Sequence, residues 1–421
     1  MLSGALAAAD WPHWRGAGRD GHTSEDSGWA SGAWSSMPAV WSAEVGLGST
    51  SPIVSQEKLY VMGWRDGRDF LRCLDAATGK EHWNQSYPSP EYGRYSKGDK
   101  QFYRGPTGTP ELDLETGLIY ALSVDGLLNC WDTRKQGRTV WSLNLYDRFE
   151  IPKRPQVTQY RRSYRDYGYT SAPLVHGGWL LVEAGDPKGG NLLAFDKRTG
   201  KLVWRSENKD PAGHTGGLVP MTVEGVPCVA AMTALNLVVT RLDKGHEGET
   251  VAAYPWITDF INTIATPAIH ENHVLITSMY NQKAICKLTI TLKGARKVWR
   301  QPHASEVCSP VIHDGHVYWA NRGVQCLSFD SGKRLWSGGK VGAAASCIVT
   351  GDDRLIVWAN DGDLALLETA ERSVGEFKQL ALHRDVLKDM AWPHVVLSGG
   401  RLYCKDRGGR IKCLSLTGVS Q

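Results

Sequence analysis

Six stretches of the chain hold most of the side chains that could do chemistry. They are Tyr103-Arg104-Gly105-Pro106, the run Arg161-Arg162-Ser163-Tyr164-Arg165-Asp166-Tyr167-Gly168-Tyr169, His214-Thr215-Gly216-Gly217, Asp259 with Asn262, His303-Ala304-Ser305-Glu306, and Asp389-Met390-Ala391-Trp392-Pro393-His394. Arginine recognises carboxylates, sulfates and phosphates through paired, planar hydrogen bonds. Tyr and Trp faces stack on sugar rings and bases. Tyr103, Arg104, Arg161, Arg162, Tyr164, Tyr169, Asn262, His303 and Trp392 are therefore candidates for holding an anionic, partly apolar ligand such as an acidic saccharide. His214, Glu306, His394 and Tyr167 are candidates for acid–base chemistry if they converge. A carboxylate neutralised by Arg beside Tyr or His is the layout a polysaccharide lyase needs. Each group also has a plainer reading, in which Arg and Tyr solvate a long loop and the polar groups are satisfied by loop backbone.

Metal chemistry finds less support. His303 and Glu306 have ligand spacing only on a helix, and their stretch reads as a loop. Asp361-Gly362-Asp363 lacks the remaining ligands of a calcium loop and reads as a hairpin turn. The nine cysteines include no CxxC pair, no haem-attachment motif and no adjacent pair, so no metal site is expected.

What could bring such distant loops together is a repeat. A phrase recurs along the chain: a Gly-bearing turn, an apolar strand with a small residue at its third position, then Trp about ten residues on. The small position falls at Cys73, Cys130, Ala194, Val239, Cys286, Cys326, Leu366 and Cys413, and the aromatic slot at Trp83, Trp141, Trp204, Trp256, Trp299, Trp336 and Phe377. Self-similarity at this period indicates a solenoid or propeller. Earlier in each copy, apolar runs flank a polar or Gly turn, as in Leu174–Val182, Val311–Trp319 and Val395–Tyr403, the signal of a hairpin. Each copy is thus expected to be a four-stranded antiparallel meander, with the Trp wedged between neighbouring sheets. The eighth copy ends before any Trp. Ala39-Val40-Trp41-Ser42-Ala43, a strand without a copy of its own, is expected to complete it and leave no open sheet edge. The cysteines in the small slot are expected to be buried core thiols. The only helical candidate is a short turn near His383–Met390.

The fold expected is all-β: a single eight-bladed propeller over residues 38–421, preceded by a leader at 10–37. Two insertions, Ser86–Tyr103 and Leu145–Tyr169, fall between the last strand of one blade and the first of the next, so both should overhang the same mouth. Residues 1–9, ending Ala7-Ala8-Ala9, read as the remnant of an export signal, which implies a periplasmic or secreted protein. There is no apolar run long enough for a spanning helix. With a net charge of only +4 and export expected, nucleic acid is not an expected partner, and a monomer is.

The chain resembles the eight-bladed PQQ-like β-propeller repeat family, whose blades carry an AxDxxTGKxxW signature. Here it reads Cys73-Leu74-Asp75-Ala76-Ala77-Thr78-Gly79-Lys80-Glu81-His82-Trp83 and Ala194-Phe195-Asp196-Lys197-Arg198-Thr199-Gly200-Lys201-Leu202-Val203-Trp204. The opening Trp11-Pro12-His13-Trp14-Arg15-Gly16 with Arg19-Asp20-Gly21 is similar to a leader of exported bacterial members. The resemblance implies either a quinoprotein dehydrogenase, a propeller that helps assemble outer-membrane barrels, or an exported protein of another role. The vicinal disulfide, calcium ligands and catalytic aspartate motifs of the dehydrogenases do not appear, so no cofactor is expected, with PQQ the alternative. Four functions are carried forward: a binder of an anionic carbohydrate-like ligand, a carbohydrate-active enzyme such as a lyase, a quinoprotein-like dehydrogenase, and a protein-assembly scaffold.

Overall fold

The repeated hairpins fold into eight four-stranded antiparallel sheets arranged as a propeller, in a computed structural model that describes residues 10–94, 103–158 and 165–416. Blades 1 to 7 each use consecutive strands. Blade 1 runs Ile53–Ser55, Lys58–Arg65, Arg68–Asp75 and Glu81–Pro88, and blade 7 runs Ala345–Val349, Arg354–Ala359, Asp363–Glu368 and Gln379–His383. The short inner strands of blades 1, 2, 7 and 8 are buried throughout, whereas outer strands such as Ala39–Glu44 face solvent along one side.

Blade 8 closes the ring as expected. Ala39–Glu44 pairs antiparallel with Arg410–Ser415 and places Trp41 opposite Cys413. The same register, small residue opposite Trp, recurs as Cys73 with Trp83, Cys130 with Trp141, Ala194 with Trp204 and Cys326 with Trp336. Three copies depart from it. In blade 5, Cys286 faces Arg300 and Trp299 faces Lys287. Trp256 lies just beyond the outer strand Thr250–Pro255, and Phe377 lies before Gln379–His383, so that Val239 faces Ala252 and Leu366 faces Ala381. Phe377 instead packs edge-on against Trp336, in the space that Gly338 leaves free.

The signature turn has a specific task. The Asp75 carboxylate accepts from the Thr78 backbone N–H at 2.8 Å and from its hydroxyl at 2.7 Å, which tightens the turn. Gly79, at φ 71°, then lies flat against Trp41 of blade 8; a Cβ there would sit 2.6 Å from the ring. Trp41 Nε1 and the Tyr403 hydroxyl both donate to the Ala76 carbonyl at 3.0 Å. Blades 2 and 3 repeat the clamp: Trp141 and Tyr120 donate to the Lys197 carbonyl, and Gly200 lies on the Trp141 ring. Each such hydrogen bond contributes about 1 kcal/mol and also carries the next blade's register. The Trp is therefore the joint between blades. All nine cysteines are free and buried, in agreement with their reading as core thiols.

Helix is found elsewhere than expected. The stretch after His383 is a series of bends with Asp385 at φ 55°. The α-helical turns are Leu145–Phe149, whose first turn is capped by the Asn144 side chain, and Arg154–Val157, both in the second insertion.

The leader lies across the hairpin end of the ring. Trp11 bridges to Val54 of blade 1, and Asp10 accepts from Ser55 and Gln56. Arg19 pairs with the fully buried Glu111 of blade 2, which His13 also meets at 3.1 Å. Arg15, itself buried, donates to the Pro267 carbonyl before blade 5 and the Pro310 carbonyl before blade 6. The backbone of Gly21 and Thr23 joins Val349 of blade 7, and Glu25 accepts from Gly399 and Gly400 of blade 8. One segment thus ties six blades together.

Candidate functional site

Each inner strand runs from the mouth of the channel toward the hairpin end, so the residue entering it faces the axis. Ser49, Thr107, Thr170, Thr215, Thr266, Ser309 and His394 enter their blades in this way and together form the wall of one cavity. Residues a few positions earlier in the same loops, Tyr103, Tyr167, Asn262 and Trp392, form its roof. The floor is Trp14 from the leader, which donates from Nε1 to Thr266 at 3.2 Å and packs on His394 with ring centres 4.3 Å apart. Gly216 must be glycine here, because a Cβ would meet the Trp14 ring at 2.7 Å.

The cavity is small, with a volume of about 80 Å³. In its roof Tyr103 stacks on Tyr167 at 4.0 Å and tilts toward Trp392 at 5.6 Å. No Lys, Arg, Asp or Glu lines it among the described residues. Four of the buried polar atoms without a hydrogen-bond partner lie at this cavity: Asn262 Oδ1, Thr215 Oγ1, and Nδ1 of both His214 and His394. A buried polar atom left unpaired costs about 1–3 kcal/mol, so these atoms favour anything that can satisfy them.

The titratable groups are held neutral. Burial, reinforced by the nearby Arg15 charge, pulls His394 down to about 3. Burial and then Arg154 push His214 well below its ordinary value. Burial raises the Tyr103 and Tyr167 phenols, with each other's proximity contributing to Tyr167. His214 is further committed: its Nε2 lies 2.9 Å from an Arg154 guanidinium nitrogen and accepts from the Tyr167 backbone N–H at 3.2 Å. Arg154 in turn is paired with Asp166 in a buried bridge and donates to the Gly168 carbonyl at 2.9 Å. This network fastens the second insertion to blade 4. With Nε2 facing two donors, His214 has no lone pair there for a substrate proton, so its part is to hold the loop.

The sequence candidates separate into three groups. Tyr103, Tyr167, His214, Asn262, Trp392 and His394 converge on the cavity. Glu306 lies near enough to Tyr103 and Tyr280 for its charge to raise their phenols, but it is not part of the wall. Arg104 is drawn aside by Glu91, with guanidinium and carboxylate 2.5 Å apart. Tyr169 is buried away from the cavity, donating to the Ala184 carbonyl at 2.8 Å and stacking on Tyr146. His303 lies within the field of Arg334, an outer-strand residue. Arg161, Arg162 and Tyr164 lie outside the described residues.

Trp14, at the floor of the cavity, was not among the candidates from the sequence. Its signal was present as two Trp three apart, with two Arg, in a leader otherwise rich in Gly and Ser. A second polar group lies on the hairpin face: His313, Asp314 and Asp353 offer three potential metal-ligand atoms within 4.8 Å of one another, with His313 Nε2 already 3.0 Å from Asp353. A PQQ cofactor, a tricarboxylate, would need cations in the cavity. The described lining supplies none, and the open volume is small for a fused tricyclic ring, so the residues present do not fit it.

A family profile described as outer membrane protein assembly factor BamB matches residues 33–143 and 102–338. Among characterised proteins, the alcohol dehydrogenase (quinone) dehydrogenase subunit of Gluconobacter oxydans (strain 621H) is 33% identical over 140 residues. That stretch is 32% of this chain and 16% of that subunit. Among solved structures, BamB from Moraxella catarrhalis superposes with a TM-score of 0.61 at 12% identity, covering 90% of this chain and 99% of its own. The C-terminal WD40 domain of Sif2 gives 0.57 at 9% identity, covering 90% and 98%. At these identities the structural likeness carries the fold alone.

Proposed function

The chain belongs to the propeller family described as outer membrane protein assembly factor BamB, and on that premise we propose that it is a periplasmic or secreted binding protein whose channel mouth holds one ring of a small, uncharged, hydroxyl-bearing ligand, such as a neutral saccharide end. The observation that carries this reading is the coincidence of an aromatic roof with unpaired buried acceptors beneath it. Tyr103, Tyr167 and Trp392 offer faces for a ring, while Asn262 Oδ1 and Thr215 Oγ1 await hydroxyl donors. Pockets of this kind fix orientation with a few polar groups inside an apolar wall. The open volume admits one ring, not an oligomer. An anionic ligand, the expectation from the Arg-rich loops, would need a cation that the described wall does not carry.

Binding is favoured over catalysis by the state of the two histidines. A base needs a pKa near the working pH; His394, at about 3, is far below it, and the Nε2 of His214 is engaged. The family description favours a second reading, a scaffold that assembles with a protein partner.

Calorimetric titration with neutral monosaccharides and with the matching uronates tests the first reading. Neutral sugars should bind, the uronates at least tenfold more weakly, and Asn262→Ala should weaken the neutral sugar by about tenfold, the equivalent of one lost hydrogen bond of roughly 1.4 kcal/mol. Tighter binding of the uronate would restore the anionic reading. Release of unsaturated uronate ends would show a lyase. No binding to any sugar, with capture of a protein partner left intact by Asn262→Ala, would favour the scaffold.

A further inference from the structure

Five of the nine thiols occupy the small slot of the repeat, and Cys228 and Cys404 pack within their own blades. Cys308 and Cys347 do neither. Cys308 precedes the inner strand Val311–His313 of blade 6, and Cys347 lies in the middle of the inner strand Ala345–Val349 of blade 7. Inner strands of neighbouring blades converge at the axis, and this brings the two sulfurs to 3.8 Å, both fully buried. No other pair of sulfurs makes such a contact among the described residues. Each thiol has a backbone carbonyl within reach, Ser309 O at 3.7 Å from Cys308 and Tyr318 O at 3.9 Å from Cys347. Arg15 of the leader lies against the pair and donates to the Pro310 carbonyl, two residues beyond Cys308.

We propose that Cys308 and Cys347 form a redox-active pair that closes to a disulfide joining blade 6 to blade 7 beneath the leader. The sulfurs need approach by less than 2 Å to reach bonding distance of about 2.05 Å, within the range of side-chain rotation on facing strands. The electrostatics favour Cys308 as the attacking thiolate. Burial raises it, but hydrogen bonding from Cys347 and the Arg15 charge outweigh that and leave it below the ordinary thiol value, while Cys347 is held above it.

The oxidant is a disulfide, either a small one such as oxidised glutathione or a protein disulfide donor. The Cys308 thiolate attacks one sulfur of the donor, forming a mixed disulfide and expelling the first donor thiolate. Cys347 gives up its proton, attacks the Cys308 sulfur and expels the second. Two protein thiols and one donor disulfide thus become one protein disulfide and two donor thiols, with two electrons passing to the donor and the two protons following them. Because Arg15 covers the pair, the donor gains access when the leader lifts or before it docks.

The test uses the full chain, reduced and then incubated with oxidised glutathione, alkylated under denaturing conditions and digested with trypsin. The expected product is a peptide Gln301–Arg322 linked to Val341–Arg354, two hydrogens lighter than their sum and separable by a reductant. The linked protein should melt roughly 5 °C higher than the reduced one, since the bond closes a loop of about 40 residues. Cys347→Ser should abolish the linked peptide and leave Cys308 as a mixed disulfide with glutathione; Cys308→Ser should abolish both, and serves as the second variant should one fold poorly. Recovery of Cys308 and Cys347 as alkylated free thiols after oxidation, or their linkage to other cysteines, would overturn the proposal.

Discussion

Glu111 offers the sharpest test of the idea that the leader is a structural plug and the floor of the site. Its carboxylate is fully buried and receives Arg19, His13 and, at 2.9 Å, the backbone N–H of Val175. In Glu111→Gln the amide oxygen can still accept from Val175, while the Arg19 guanidinium, only 9% exposed, loses its counter-charge. Breaking one side of a buried pair costs about 3–5 kcal/mol. Taking about 3 kcal/mol for a substitution that keeps shape and one acceptor, the open form of the leader should become roughly 100-fold more populated. The assay is trypsin cleavage at the Arg15–Gly16 bond followed by mass spectrometry, because Arg15 is almost wholly buried and cleavage of a transiently open segment tracks its population. Arg19→Met made in the Glu111→Gln background should recover most of the loss, since no unpaired charge then remains. The sign with pH follows from the carboxyl itself. Burial would raise it, but the charges of Arg19 and then His13 hold it below its ordinary 4.5. The stabilisation is therefore complete above that value and lost as pH falls through the lower, folded-state one. Cleavage of Glu111→Gln within threefold of the parent rate at pH 7, or equal losses in the single and double variants, would refute the reasoning.

Two further outcomes follow from the blade joints and the buried carboxyl of blade 1. Gly79→Ala must both adopt a left-handed backbone and meet the Trp41 ring at 2.6 Å, so it should cost about 2–4 kcal/mol, whereas Gly225→Ala, at φ 85° with open space around it, should cost only about 1 kcal/mol; urea midpoints measure both, and equal losses would remove the blade-joint argument. Asp69, buried in blade 1 beside Tyr87 and Ser89, is raised by burial to about 7, so the folded protein binds the proton more tightly than the unfolded chain. Its contribution is fully favourable below the ordinary value of 3.8 and lost as pH rises through 7, and Asp69→Asn should gain on the parent across that window, by up to about 4 kcal/mol at pH 8 and nothing at pH 3.5; chemical denaturation at the two pH values reads the difference.

The sequence by itself determined the ring. Strand alternation, turn residues, and the small-residue-to-Trp spacing are short-range features that recur along the chain, and a missing Trp at one end matched a spare Trp at the other, which is why Trp41 opposite Cys413 was legible in the sequence. The Asp75-Thr78-Gly79 turn was also legible as a motif, though its purpose, a flat seat for a neighbour's Trp, was not. The convergence of Tyr103, Tyr167, His214, Asn262, Trp392 and His394 was legible to the extent that position in the repeat fixes which loop enters the channel. What the repeat could not say is how each side chain turns once there. Arg104 is taken by Glu91 and Nε2 of His214 by Arg154 and the Tyr167 backbone, pairings set by loop paths that no period encodes. The non-repeating leader was beyond the pattern for the same reason. Arg19 meets Glu111 across 92 residues and Trp14 meets Thr266 across 252, and only the closed ring, by bringing eight inner strands to one axis, creates the opening that Trp14 fills.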